Sequence, residues 1–447
     1  GADVIANMGA GGIKLWYGGG YRENYPQNHD WQTVNNSTEL AQTEYFKTMF
    51  SDTRFSVYAL EYATFNGHTS WKNGLTESEA QEIYQETYDF AVYLLETYQG
   101  TGKTFILQNW EGDNNLGQNA DPIKVQGMID WLKVRQQAIS DATAATMAND
   151  VFVYGAAECN KVGQPDWDGP RVITDVFPYL TMDLYSYSNW YTRESEEQLL
   201  IDLNQIKYYA PDSDAFGHEN VFLGEFGNKR LVNGGSAGDL NEDNNYLISK
   251  TELEIALDVG VPYAFFWMAY DSNTVKSHGL VLDQSTQQTF VPEADVDVSG
   301  RYFSKTHNYF RDEATQYKMF EDLAEDLSKT TFNENVRLIT GAKAKWDFDP
   351  YVFDRSSQDE ATLQYTLADD ITKIAILTYE DSRKNNMVSV LTSATGEEGS
   401  YVEIPLKKVL GDAEEVNWQR ALYRNSDAVP QGHKYVQIKY SSNELWS

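Results

Sequence analysis

The sequence has one cysteine, Cys159, so no disulfide can form within the chain and nothing in it marks a redox compartment. Set in the apolar run VFVYGAAEC, that thiol reads as a small core residue rather than a nucleophile. Histidines are few, six in all, and no HExxH or comparable pair brings them together, which argues against a histidine-built metal centre. No EF-hand spacing organises the acidic residues; a structural Ca²⁺ among them stays open without a motif behind it, and no cofactor is expected to be required. There is no GxSxG elbow of the kind serine hydrolases carry, and no Gly-rich phosphate loop follows an apolar run. Long hydrophobic runs are missing too: VPYAFFWMAY is the strongest and is far too short to span a bilayer. Positive charge is scarce, with 35 Lys and Arg against 67 Asp and Glu and a formal net charge of −32. Such a field repels phosphates, so neither nucleic acid nor an anionic membrane is expected as partner, and a heavily sulfated or uronate-rich polymer is disfavoured. Oligomeric state leaves no mark on the sequence.

What is abundant is aromatic. The 447 residues include 30 Tyr, 20 Phe and 11 Trp, enough for a large core with rings left over for a binding surface. Seven short apolar runs recur, each ending in polar or aromatic residues: GIKLWYG, FSVYALEYATF, TFILQNWEGD, VFVYGAAECN, YLTMDLYSYSNW, VFLGEFG and YAFFWMAYDS. Helical patterns lie between them. In TESEAQEIYQETYDFAVYLLETY, Thr76 and Glu79 suit a capping box, and in DPIKVQGMIDWLKVRQQAISDATAA Pro122 suits a first helical turn. Strands alternating with helices pair in parallel, and a chain this long then favours an α/β fold, the (β/α)8 TIM barrel, over an open doubly wound sheet. Because ADVIANMGA reads as a helix ahead of GIKLWYG, the first barrel strand is expected upstream of residue 1, which makes GIKLWYG the second strand. Past about residue 330 the texture changes to alternating, turn-punctuated strands, among them ATLQYTL, ITKIAILTY, MVSVLTS, YVEIPL and KYVQIKY. The expected domains are therefore a barrel over 1–328 and a C-terminal antiparallel β-sandwich over 329–447. Acidity of this degree keeps a secreted protein soluble, and with a leader removed ahead of GADVIAN the expected location is secreted or periplasmic.

In a barrel of this kind chemistry sits at the carboxyl ends of the strands. Two of those ends carry a glutamate where an apolar run stops, Glu111 in LQNWEGD and Glu225 in FLGEFG. Cleaving a glycosidic bond takes two carboxyls, one to protonate the leaving oxygen and one to attack or to activate water. In the expected numbering these two fall on strands four and seven.

That layout resembles the clan of retaining glycoside hydrolases with (β/α)8 barrels, cellulase-, mannanase- and β-galactosidase-like, and GEFG is similar to the nucleophile strand of such enzymes. The likeness runs over roughly residues 1–310 as architecture and in short motifs only. It implies that Glu225 is the nucleophile and Glu111 the acid/base. The clan places Asn directly before the acid/base, whereas here Trp110 holds that position and Asn109 lies one further back. Strand alternation would put Asn109 on the face of Glu111, within reach of a sugar hydroxyl. Where the clan has an Arg near the end of strand two, GIKLW offers Lys14, which supplies charge without a bidentate fork.

The other run ends suit a carbohydrate partner. Tyr185 and Tyr187 alternate on one face of the sixth strand, where the clan often has a Tyr or His against the nucleophile; the competing reading is two core tyrosines. Trp267 falls where the clan commonly has a tryptophan under the sugar ring. Trp16, Trp110 and Trp190 end other runs, and Tyr21, Tyr25 and Trp31 lie in the loop after the first. Pyranose C–H faces stack on such rings. Glu158 and Asn160 are further polar candidates, and Glu61 either contacts substrate or pairs with Lys14. The C-terminal strands resemble discoidin-like or galactose-binding modules, which implies sugar binding or packing. From another class, the rival reading is a catalytically silent carbohydrate-binding barrel that keeps the aromatics without the chemistry.

Overall fold

A computed structural model describes residues 2–25, 28, 30–65, 69–189, 196–227, 242–267, 281–282, 302–314, 330–340, 351–356, 360–380, 388–410 and 419–440. The chain divides into two compact units, Gly1–Phe320 and Glu321–Ser447.

The first unit is an α/β barrel. Seven parallel strands pair in chain order: β1 (Gly12–Tyr17), β2 (Val57–Tyr62), β3 (Lys103–Gln108), β4 (Val151–Cys159), β5 (Leu184–Ser188), β6 (Val221–Phe226) and β7 (Ala264–Phe266). The sheet nearly closes, since β7 returns to β1: a Cβ placed on Gly12 would stand 3.2 Å from the Phe265 ring. These are the seven runs read in the sequence, in that order.

Helices form where the sequence caps them. Thr76 and Glu79 close a reciprocal capping box at the start of Glu77–Thr97, and Asp121 caps Pro122–Thr146 by accepting from Lys124 N at 2.9 Å. Between these helices and β1–β4 lies an aromatic outer core in which Tyr17 stacks on Phe90 at 4.8 Å. A second, smaller core fills the barrel itself: Ala59, Ile106, Ala156, Leu184, Phe222 and Phe265, one from each of β2–β7. Strand periodicity of two fixes which residues share that interior. Ile106 is inside, so Gln108 is inside one step above it; Ala156 implies Glu158 and Leu184 implies Ser186 by the same count.

Among the described residues, the strand pairs of the second unit are all antiparallel. A five-stranded sheet runs Phe332–Glu334, Ala361–Thr366, Tyr435–Tyr440, Val388–Ser393, Val402–Ile404, and a three-stranded one runs Ala375–Glu380, Gln419–Asn425, Leu406–Leu410. Leu363, Tyr365, Val390 and Val436 of the first sheet share one core with Ile376, Ala421 and Tyr423 of the second, the arrangement of a β-sandwich.

Candidate active site

One residue pair above the apolar plug, the barrel interior turns polar. Lys14 enters from β1 and is 8% exposed; its Nζ lies 2.5 Å from Glu61 Oε1, 2.9 Å from Glu225 Oε1 and 3.4 Å from Glu158 Oε2. It also donates to the Gly224 carbonyl at 3.0 Å. Burial alone would depress the ammonium's proton affinity, but the three carboxylates outweigh it and hold its pKa above the ordinary lysine range. These carboxylates are the one set of acidic side chains among the described residues grouped tightly enough to ligate a metal ion, and the Lys14 ammonium is the cation at their centre. Glu61 thus pairs with Lys14, the second of its two expected roles.

Glu158 is the hub of this layer. Its Oε2 accepts from Gln108 Nε2 and from Ser186 Oγ, both at 2.8 Å, while its Oε1 accepts the backbone N–H of Glu111 at 2.7 Å. Burial pushes its pKa up to about 7. Gln108 Nε2 reaches Glu61 Oε1 as well, at 3.0 Å, and so ties β2, β3 and β4 together.

Glu225 owes its position to an irregularity. Tyr187 pairs with Leu223, but the next residue, Ser188, pairs with Glu225, so β6 carries one extra residue at Gly224. Were the same residues paired without this bulge, Glu225 would share the outward face of Leu223. With it, the Glu225 carboxylate points inward, accepting from Lys14 on one oxygen and from Ser188 Oγ at 2.9 Å on the other. Only glycine fits at the extra position, because an added Cβ would lie 1.9 Å from Ser186 Oγ and 2.7 Å from Glu158 Oε2.

Glu111 follows β3 by three residues and heads the short helix Gly112–Leu116. Its backbone is left-handed, with φ 35° and ψ 69°, a conformation that non-glycine residues adopt at a cost. The Glu158 carboxylate holds that backbone by its N–H, and Asn114 donates to the Glu111 carboxylate. Burial raises the Glu111 pKa; the Asn114 bond opposes this, and the nearby Glu225 anion adds to it. Just beyond, Asp113 is buried and fastens three segments: its Oδ2 accepts from the N–H groups of Asn160 and Lys161, and its Oδ1 from that of Val172. The carboxyl end of β3 is therefore clamped to the loop after β4.

The remaining candidates divide sharply. Trp16, Trp110 and Trp267 converge, with Trp16 5.4 Å from Trp110 and 6.5 Å from Trp267, ring centre to ring centre. Trp110 is 41% exposed, so the cluster offers an accessible ring beside Glu111. Tyr185 and Tyr187 do not join it. Both point out of the barrel: Tyr185 packs on Phe177, and the Tyr187 hydroxyl donates to Asp202 on the helix Glu196–Tyr209 at 2.6 Å. The inner positions of β5 belong to Ser186 and Ser188. Asn109 is not free to meet a sugar either, since its amide is stitched to the Glu158 backbone, accepting from N at 3.0 Å and donating to O at 3.4 Å. Asn160 likewise accepts from the Asp113 N–H rather than facing the cavity. In the loop after β1, Tyr25 donates to the Trp16 carbonyl at 2.9 Å and Trp31 packs on Tyr21, so these rings brace the site from behind. Trp190 lies outside the described residues.

Sequence reasoning missed Gln108, Ser186, Ser188 and Asp113. The signal was present for the first three, because each lies an even number of residues from a barrel-filling Ile106 or Leu184. Asp113 had no comparable signal; its role depends on loops about 47 and 59 residues away in sequence meeting in space.

No family model matches the chain, and no curated protein matches its sequence. Solved structures match at the level of fold. A GH5_18 variant from Streptomyces cattleya in complex with Manb1-4GlcNAc is 11% identical over 72% of this chain and 76% of that one, with a TM-score of 0.45. A family 1 b-glucosidase from Thermotoga maritima is 10% identical over 72% and 86%, TM-score 0.43. The exo-beta-1,4-mannosidase Op5Man5 from Opitutaceae bacterium strain TAV5 is 14% identical over 69% and 53%, TM-score 0.38.

Proposed function

We propose that the barrel is a retaining glycoside hydrolase that cleaves β-glycosidic bonds of a poly- or oligosaccharide, with Glu225 as nucleophile and Glu111 as acid/base. The observation that carries this reading is the contrast between the two carboxyls. Glu225 accepts a charged hydrogen bond from Lys14 and a neutral one from Ser188, as an attacking carboxylate would. Glu111 is half-buried with its pKa raised, as a proton donor to a leaving oxygen requires. A sugar stacked on the tryptophan cluster would lie between them. Glu111 would protonate the departing glycosidic oxygen while a Glu225 oxygen bonds to the anomeric carbon. Glu111, now ionised, would then take a proton from the water that releases the sugar, restoring the starting configuration. A neutral sugar suits a site lined with four carboxyls and one central lysine. For the C-terminal sandwich we propose an accessory role, in packing or sugar binding, and for the whole protein secretion.

Product stereochemistry is the test. Glu225→Ala should lose turnover on every substrate, activated aryl glycosides included, and azide should convert it to an inverted glycosyl azide. Glu111→Ala should still be glycosylated by activated aryl glycosides, and azide should release the sugar with configuration retained, because azide needs no general base. A silent binding barrel would bind glycans and show neither rescue. An inverted product from the unaltered protein would remove it from the retaining class. The pH profile should be bell-shaped, its basic limb set by loss of the Glu111 proton above the ordinary carboxyl range, and Glu111→Gln should erase that limb on substrates with poor leaving groups.

A further inference from the structure

Three buried carboxyls surround a single ammonium in the upper barrel. Glu61, Glu158 and Glu225 each bring an oxygen within 4.8 Å of the others, and Lys14 offsets only one negative charge. Uncompensated like charges away from water are relieved by taking up a proton. Which carboxyl takes it follows from the donors each one faces. Glu158 meets four N–H or O–H groups, spread over both oxygens: Lys14, Gln108 and Ser186 on Oε2 and the Glu111 N–H on Oε1. Three of these can only donate, so a protonated Glu158 could turn its O–H only to the Ser186 hydroxyl, which would then have to stop donating to it. Glu225 faces Lys14 on one oxygen and Ser188 on the other.

Glu61 is different. Both of its donors, Lys14 and Gln108, meet Oε1, while Oε2 is buried with no partner among the described residues. Gln108 Oε1, on the amide that already binds Glu61 through Nε2, is a second buried acceptor without a donor. Two bare acceptors on two groups bonded through their other atoms are the mark of a missing hydrogen. We propose that Glu61 is a neutral carboxylic acid in the resting protein, its proton on Oε2, and that it serves as a positioning residue for the two catalytic glutamates. Burial and the anions of Glu158 and Glu225 favour the neutral form, and the whole raises the Glu61 pKa well above its ordinary value; Lys14 opposes, as does the buried Arg135 guanidinium from the helix Pro122–Thr146.

Being neutral, Glu61 holds the Lys14 ammonium without competing for its charge, which is left to Glu225 and Glu158. By accepting from Gln108 it also turns the amide so that the same nitrogen reaches Glu158, which in turn holds the left-handed backbone of Glu111. The positioning role rests on the reaction proposed above; the protonation state does not, and two of its readouts need no activity.

Infrared difference spectroscopy on the full chain, on the alkaline side of the value of about 7 to which Glu158 is raised, should show the carbonyl band of a protonated carboxyl that disappears in Glu61→Gln. If that band survives in Glu61→Gln, or is lost in Glu158→Gln alone, the assignment is overturned. Unfolding gives the second readout. A folded state that keeps a proton which the unfolded chain releases loses stability as pH rises from the ordinary glutamate value through the folded one. Across that window the unfolding constant of the unaltered protein should climb up to ~tenfold more per pH unit than that of Glu61→Gln; equal slopes would overturn the proposal. For the role itself, Glu61→Ala should lower turnover at least ~tenfold and Glu61→Gln should restore most of it, since the loss of an oriented hydrogen-bonded group to the catalytic layer is worth more than ~1.4 kcal/mol. A glutamine variant as impaired as the alanine one would mean that an anion is needed there.

Discussion

The same strands build two layers inside the barrel, two residues apart, and the layers are opposites. The lower one is a dry plug of Ala59, Ile106, Ala156, Leu184, Phe222 and Phe265; the upper one is Glu61, Gln108, Glu158 and Ser186 with Lys14 threaded through it. The lower layer is held by close packing, which tolerates no missing volume. The upper one is held by directed bonds to charged groups, where each atom depends on a partner across the barrel. The plug beneath keeps water from those bonds on one side, which strengthens them. Stability and chemistry are thus stacked rather than mixed, and substitutions should separate them.

The largest separation is expected from one residue of each kind. Glu111→Gln, whose backbone the upper layer holds, should lower turnover on substrates with poor leaving groups by about 10²–10⁴-fold, with thermal unfolding hardly moved; a large fall in Tm would show that the reacting group carries stability too. Phe222→Ala should do the converse, costing about 3–5 kcal/mol of stability in denaturant titrations while kcat, read well below the melting point, stays close to that of the parent. Next comes the outer face of β5. Burial pushes Asp202 up to about 6 from an ordinary 3.8, so its proton stabilises the fold fully below 3.8 and that contribution fades as pH climbs through 6. Asp202→Asn should flatten the dependence of stability on pH over that window by about 3 kcal/mol in all and leave the pH profile of turnover in place. A smaller loss of stability than that of Phe222→Ala should come from Gly224→Ala, about 1–3 kcal/mol for an overpacked methyl, yet activity should fall steeply because Ser186 and Glu158 must both yield. Retained activity in that variant would break the link between the extra residue in β6 and the site.

Much of this was legible beforehand, and the misses share one cause. Apolar runs ending in polar residues located all seven strands and the two glutamates, because a buried parallel strand has to be apolar until it reaches the cavity. On β1 the candidates Lys14 and Trp16 share the inner face, but on β5 the inner face belongs to Ser186 and Ser188 and not to the candidates Tyr185 and Tyr187. Periodicity names two faces without saying which is inside. The barrel interior at that height is already filled by the side chains of Lys14, Glu158 and Glu225, so only serines fit beside them, and the larger tyrosines go outward to the helices. Asn109 and Asn160 were placed at the right ends but given the wrong partners, since a buried amide finds backbone before it finds a ligand. The glutamate at 158 counted for little in the sequence because its importance lies in four donors arriving from three other stretches of the chain.

The extra residue in β6 has a meaning best put as parity. In a regular strand the side a residue faces is fixed by whether its distance from a reference position is odd or even, so where Glu225 points is a matter of counting as much as of identity. Pairing the same residues in a perfect ladder, with Ser188 opposite Gly224, would keep every functional group in the sequence, yet it would send the carboxylate toward the helices. A motif can therefore be conserved letter for letter in a grafted or recombined barrel and still be mute, because the information lies in one insertion whose own side chain is a hydrogen atom.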